Sequence, residues 1–124
     1  MNTDRFKVRV WCNKEKCYLY NAEMNNAIVL TQLPDYKIAE QCTGLKDKNG
    51  KLIYENDIIK MGRYSMNWVI MVDSYGCRCI CPRGNPILGC IEWSSFVKEY
   101  FFDEENTSVQ IIGNIHENKE LLDE

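Results

Sequence analysis

The chain has 124 residues, 45% hydrophobic and 27% charged, with a net charge of -3. That length suffices for one domain with its own apolar core and no staples. No apolar run nears the roughly 18 residues of a membrane span, and the opening Met1-Asn2-Thr3-Asp4-Arg5-Phe6-Lys7 lacks a signal-peptide core, so a soluble protein of the cytosol is expected. Charge is uneven: residues 1–60 hold ten Lys/Arg against eight Asp/Glu, and residues 61–124 hold five against ten. A non-specific nucleic-acid binder would show a basic excess, because neutralising backbone phosphates drives its affinity, so nucleic acid is disfavoured as a partner. The seven cysteines, Cys12, Cys17, Cys42, Cys77, Cys79, Cys81 and Cys90, are expected as reduced thiols rather than a disulfide framework in a chain with no secretory signal.

Phe6-Lys7-Val8-Arg9-Val10-Trp11 alternates apolar with basic side chains, as a half-buried strand does; Phe6, Val8 and Val10 should face a core, with Lys7 and Arg9 in water. After a polar turn at Cys12–Lys16, Cys17-Tyr18-Leu19-Tyr20 returns as the second strand of a hairpin. Residues 21–42 read as a strand-rich connector, with a short strand at Ala27–Leu30, a proline turn at Leu33–Tyr36 and an alternating strand from Tyr36 toward Cys42.

The most punctuated stretch is Thr43–Ile59. Asp47-Lys48-Asn49-Gly50 and Glu55-Asn56-Asp57 are turns bracketing Leu52-Ile53-Tyr54. Asn49-Gly50 suits a two-residue hairpin with positive φ at both positions. Gly44 is expected either in a strained backbone conformation or where another chain segment approaches closely, and Asn56 is the best non-glycine occupant of positive φ. Asp57 is expected to hydrogen-bond backbone amides.

From Asp57 onward the chain reads as short strands at Asp57–Met61, Asn67–Asp73, Cys77–Cys81, Ile87–Trp93 and Thr107–Asn114. Loops lie at Gly62–Met66, Ser74–Gly76 and Pro82–Pro86. A serine-capped helical turn is expected at Ser94–Val97, and an acidic loop at Asp103–Asn106. Asn118 is expected to cap a short terminal helix with Leu121 and Leu122 turned inward. The fold class is therefore mainly β. An N-terminal hairpin and connector (1–42) pack on a small SH3-like β-barrel (43–124) with short helical turns.

Three segments together resemble the YopX-like proteins of phages and prophages of Gram-positive bacteria: the basic-aromatic strand ending in Trp11, the Thr43–Ile59 motif, and Val109–Leu122 with its Gly113-Asn114 pair. Relatives carry Asp where this chain has Cys12, Glu-Gly-Asp where it has Glu55-Asn56-Asp57, Tyr at His116 and Pro at Lys119. The resemblance implies a bacterial cytoplasmic setting and marks Gly44, Asn49, Gly50, Tyr54, Asp57, Gly113 and Asn114 as structural positions. It implies no activity.

Catalytic constellations are not legible. Cys77, Cys79 and Cys81 alternate on a strand, where residues two apart stand about 6.6 Å from each other, whereas thiolates sharing one zinc ion lie within about 4 Å. They are expected to be small buried hydrophobes, with no metal and no cofactor. His116, the sole histidine, is expected to pack at a strand end, and Asp47, Glu55 and Asp57 to build turns. The surplus of aromatic residues, with Tyr100-Phe101-Phe102 unable to share one core, points to an interaction surface or a homo-oligomer. The expected function is a non-enzymatic accessory protein that binds a protein or other macromolecule. Two alternatives are a counter-defence protein that sequesters a small nucleotide between subunits, with Arg63, Tyr64, Tyr75, Arg78 and Arg83 as binding residues, and a single-strand nucleic-acid binder.

Overall fold

A computed structural model of the chain describes residues 7–13, 15–22, 36–62, 64–73, 76–101 and 108–122. The strand expected at Ala27–Leu30, the turn at Leu33–Asp35 and the acidic loop lie outside them. The described residues are mainly β and form two antiparallel sheets with one α-helix and short 3-10 turns. The chain divides into two compact units, Met1–Leu45 with Leu52–Tyr54, and Lys46–Lys51 with Glu55–Glu124.

The first unit carries a four-stranded sheet of β1 (Val8–Cys12), β2 (Cys17–Ala22), β3 (Tyr36–Lys46) and β4 (Leu52–Tyr54), in the order β2-β1-β3-β4. The expected hairpin is β1 with β2, in register Val10↔Leu19 and Trp11↔Tyr18. β1 is central, paired on its other edge with β3 (Arg9↔Glu40), and all five of its residues are buried. Alternation therefore misleads at Arg9, which was expected in water and is only 3% exposed. Cross-strand residues point to the same face, so the register sets Arg9 beside Glu40, with Nε 2.8 Å from Oε1. Its guanidinium lies 3.9 Å from the Tyr18 ring centroid and 4.8 Å from that of Tyr54. The Tyr18 hydroxyl donates to the same carboxylate oxygen at 2.7 Å. The charge can be buried because it is paired and stacked.

The second unit carries β5 (Asp57–Met61), β6 (Trp68–Val72), β7 (Arg78–Pro82), β8 (Ile91–Glu92) and β9 (Val109–Asn114), in the order β8-β7-β6-β5-β9. These are the five strands expected after Asp57, curled into a half-barrel. Ile58, Ile59, Met61, Ile70, Ile80 and Val109 are all fully buried.

Two expectations fail around β8. The strand expected over Ile87–Trp93 shrinks to two residues, because Pro86–Leu88 forms a 3-10 turn capped by the Asn85 side chain, which accepts from the Ile87 amide. Ile87 and Leu88 are left exposed. The single helical turn becomes α1 (Trp93–Tyr100), with Glu92 at its N-cap and no side-chain cap, so the serines lie inside the helix. Trp93, Phe96, Val97 and Tyr100 follow helical spacing i, i+3, i+4, i+7. Phe96 is fully buried, with the rings of Trp93, Tyr100 and Phe101 each within 5.5 Å of its centroid.

Candidate functional site

The Thr43–Ile59 motif is a fold device. Gly44 and Gly50 take φ of 83° and 82° and Asn56 takes 69°, as the turn chemistry anticipates. Asn49 does not share that conformation, so the expected two-residue hairpin is replaced by a wider loop. The Gly50 amide donates to the Asp47 carbonyl at 3.0 Å and the Asp47 amide to the Lys51 carbonyl at 2.8 Å. This is a turn followed by one left-handed residue, the usual three-residue alternative. Asp47 organises it: one carboxylate oxygen accepts from the Asn49 and Lys51 amides at 2.9 Å, and the other accepts from the Ile111 amide of β9 at 3.0 Å. The sequence marks Asp47 as a turn acid, and an Asp shortly before an Asn-Gly pair is the local signal for this Asx-type bonding.

The Gly113-Asn114 pair is structural for a different reason. A Cβ on Gly113 would meet Asn118 Oδ1 at 2.5 Å. Asn114 Oδ1 accepts from the amides of His116 and Glu117 at 3.0 Å. Asn118 Oδ1 accepts from the Asn114 amide at 3.2 Å, so Asn118 binds backward and does not cap the 3-10 turn Lys119–Leu122 with its side chain. His116 sits half-buried in the turn after β9.

Of the five binding residues anticipated for a nucleotide, Tyr64, Arg78 and Arg83 are among the described residues, and each has its own surroundings. Arg63 and Tyr75 lie outside the described residues. Arg78 is held by Glu55, with Nη2 3.0 Å and Nε 3.2 Å from Oε2, and lies 5.0 Å from the Trp93 ring centroid. Tyr64 stands edge-on to Trp68 at 5.2 Å. Arg83, at the far end of β7 from Arg78, lines a groove of about 350 Å³ with Asn56, Val69, Met71, Gly84, Ile115, Lys119 and Leu122. Its backbone is left-handed, at φ 54°, with its amide bonded to the Asn67 carbonyl at 2.7 Å. Leu122 closes over Gly84, where a Cβ would stand 3.5 Å from its Cδ1. Arg83 and Lys119 are exposed at the rim, while Val69 is buried and Met71, Ile115 and Leu122 are half-buried in the walls. Among the described residues, neither rim cation makes an ion pair. An apolar slot edged by two cations suits a small anion with an apolar face.

The cysteines also depart from expectation. Cys81 and Cys90 are disulfide-bonded, with Cα atoms 4.5 Å apart. The register that pairs Cys79 with Glu92 and Ile80 with Ile91 places Cys81 opposite Cys90, at the separation of a non-hydrogen-bonded antiparallel pair. Cys79 Sγ lies 3.6 Å from Cys81 Sγ. Backbone spacing is no barrier here, because side chains can lean along the strand toward each other. The three expected to be buried alike differ: Cys77 is exposed, Cys79 half-buried and Cys81 buried. Burial first, then the charges of Asp73 and Cys77, pushes the Cys79 thiol up from its ordinary pKa.

Residues 3–123 match the profile of a known family, described as YopX protein. The chain belongs to the YopX family. No curated protein matches it. Among solved structures, the crystal structure of protein EF1440 from Enterococcus faecalis is similar, with a TM-score of 0.55 and 22% identity over 94% of this chain and 96% of that one. At that identity the likeness shows a shared fold. The YopX match spans both units, so the Thr43–Ile59 loop and the Gly113-Asn114 turn are features of a family chain.

Proposed function

We propose that this YopX chain is a non-enzymatic binding protein, an accessory factor of phage or prophage origin in the bacterial cytoplasm. In this reading its curled five-stranded sheet is a small SH3-like scaffold, and the groove beside Arg83 captures a small anionic ligand of the mononucleotide class. The groove carries the reading: about 350 Å³ of space with apolar walls and the Arg83 and Lys119 side chains at its mouth matches a flat ring carrying a phosphate. That volume falls within the roughly 300–1,000 Å³ of small-ligand sites, which favours a small molecule over an extended macromolecular partner. Phage origin rests on the resemblance of the motifs.

Isothermal titration of the full chain with nucleoside mono- and diphosphates tests it. Binding should weaken with salt, and Arg83→Glu and Lys119→Glu should each cost about tenfold or more, the worth of a charge-assisted hydrogen bond. Absence of heat with every nucleotide, or affinity unchanged in the double variant, overturns the site. Chemical conversion of the bound nucleotide, abolished by His116→Ala, would instead make the protein an enzyme.

A further inference from the structure

Cys79, Cys81 and Cys90 hold their sulfur atoms within 4.8 Å of one another. The fold builds this cluster from β7 and the residue that leads into β8. Alternation puts Cys79 and Cys81 on one face of β7, and the β7–β8 register delivers Cys90 opposite Cys81. The 3-10 turn at Pro86–Leu88 leads into Cys90, whose Sγ lies 3.8 Å from the Pro86 carbonyl oxygen. Access is graded: Cys81 is buried beneath, Cys79 is half-buried and Cys90 is exposed.

We propose that the reduced cluster is a three-thiolate site for a soft, closed-shell cation of the zinc class, and that the Cys81–Cys90 disulfide is its oxidised, metal-free form. Thiolates select such ions over hard cations. Zn–S bonds of about 2.3 Å in tetrahedral array set sulfurs about 3.8 Å apart, and the Cys79–Cys81 pair already stands at 3.6 Å. Breaking the Cys81–Cys90 bond frees Cys90 to take the same spacing. A dithiol reductant supplies the two electrons and two protons, leaving as its own disulfide, and Cys81 and Cys90 become thiols. A divalent cation then displaces three thiol protons, so the site carries one net negative charge and keeps a fourth position for water or a further ligand. Glu92, opposite Cys79 in register, lies on the same face. The site owes nothing to the nucleotide groove.

Cobalt(II) is the probe for the test. The full chain is reduced, freed of reductant without air, and titrated with the ion. Sulfur-to-cobalt charge-transfer bands and tetrahedral visible bands should grow to one equivalent and vanish on adding zinc(II). The oxidised chain should give neither. Cys90→Ser and Cys79→Ser should lose affinity by more than the roughly 100-fold that bounds removal of a mere supporting group, while Cys77→Ser and Cys17→Ser should titrate like the parent. A second measurement needs no variant. Bound zinc should shield Cys79, Cys81 and Cys90 of the reduced chain from alkylation, read by peptide mass, and leave Cys17 and Cys77 open. Absent charge-transfer bands, bands indifferent to Cys90→Ser, or protection falling on other cysteines would overturn the proposal.

Discussion

At the centre of the first unit lies a charged pair caged by aromatic rings. At the centre of the second lie isoleucines, a methionine and Phe96. Arg9 and Glu40 are 3% and 0% exposed, and Trp11, Tyr18, Tyr20 and Tyr54 form a chain of ring contacts 5.0 to 5.8 Å long around them. The second unit buries Ile58, Ile59, Met61, Ile70, Ile80 and Phe96 completely. The two solutions trade differently. A buried ion pair recovers little more than its desolvation cost but is severely punished when halved. An apolar centre stabilises in proportion to its area and degrades by degrees.

The sharpest way to break this contrast is Glu40→Ala, which leaves the Arg9 guanidinium buried without its carboxylate and should cost about 4 kcal/mol in urea unfolding. Joint replacement, Arg9→Met with Glu40→Leu, should recover most of that loss. A double variant as unstable as the single one would mean the pair does more than neutralise itself. Next comes Phe96→Ala, expected to cost about 3 kcal/mol through lost burial and a residual cavity, with no second-site rescue by charge. The smallest effect tests the loop. No atom lies within 4 Å of a Cβ placed on Gly50, whose φ is 82°, so only backbone conformation opposes a side chain there. Gly50→Val should cost about 1.5 kcal/mol, and Gly50→Asn clearly less. Equal melting temperatures for the two would show that conformation is not the constraint.

What was legible follows the range of the cause. Turns are written locally, so Gly44, Gly50 and Asn56 show their left-handed backbone in the sequence itself. Strand alternation was readable where one face meets solvent, but it failed at Arg9, whose partner lies 31 residues away. The α1 helix has a signal in the sequence, since Trp93, Phe96, Val97 and Tyr100 fall on one helical stripe, but the cap-like Ser94-Ser95 pair masks it. The groove combines Asn56, Val69, Met71, Arg83 and the segment from Ile115 to Leu122. Only Arg83 could be suspected, because nothing local joins those segments. The thiol cluster needed the β7–β8 register, and one strand considered alone argued against it.

The route of the backbone through Thr43–Ile59 has a consequence for how the protein is made. The chain leaves the first unit after Leu45, spends Lys46–Lys51 in the second, returns for Leu52–Tyr54, and leaves again at Glu55. A growing polypeptide therefore cannot finish the first sheet when residue 45 clears the ribosome. β4 arrives later, after a loop whose Lys48 amide donates to Val109 and whose Asp47 carboxylate accepts from Ile111, residues synthesised some sixty positions downstream. No single scission yields two complete halves, and release of the last strand is what lets the loop near the middle of the chain settle.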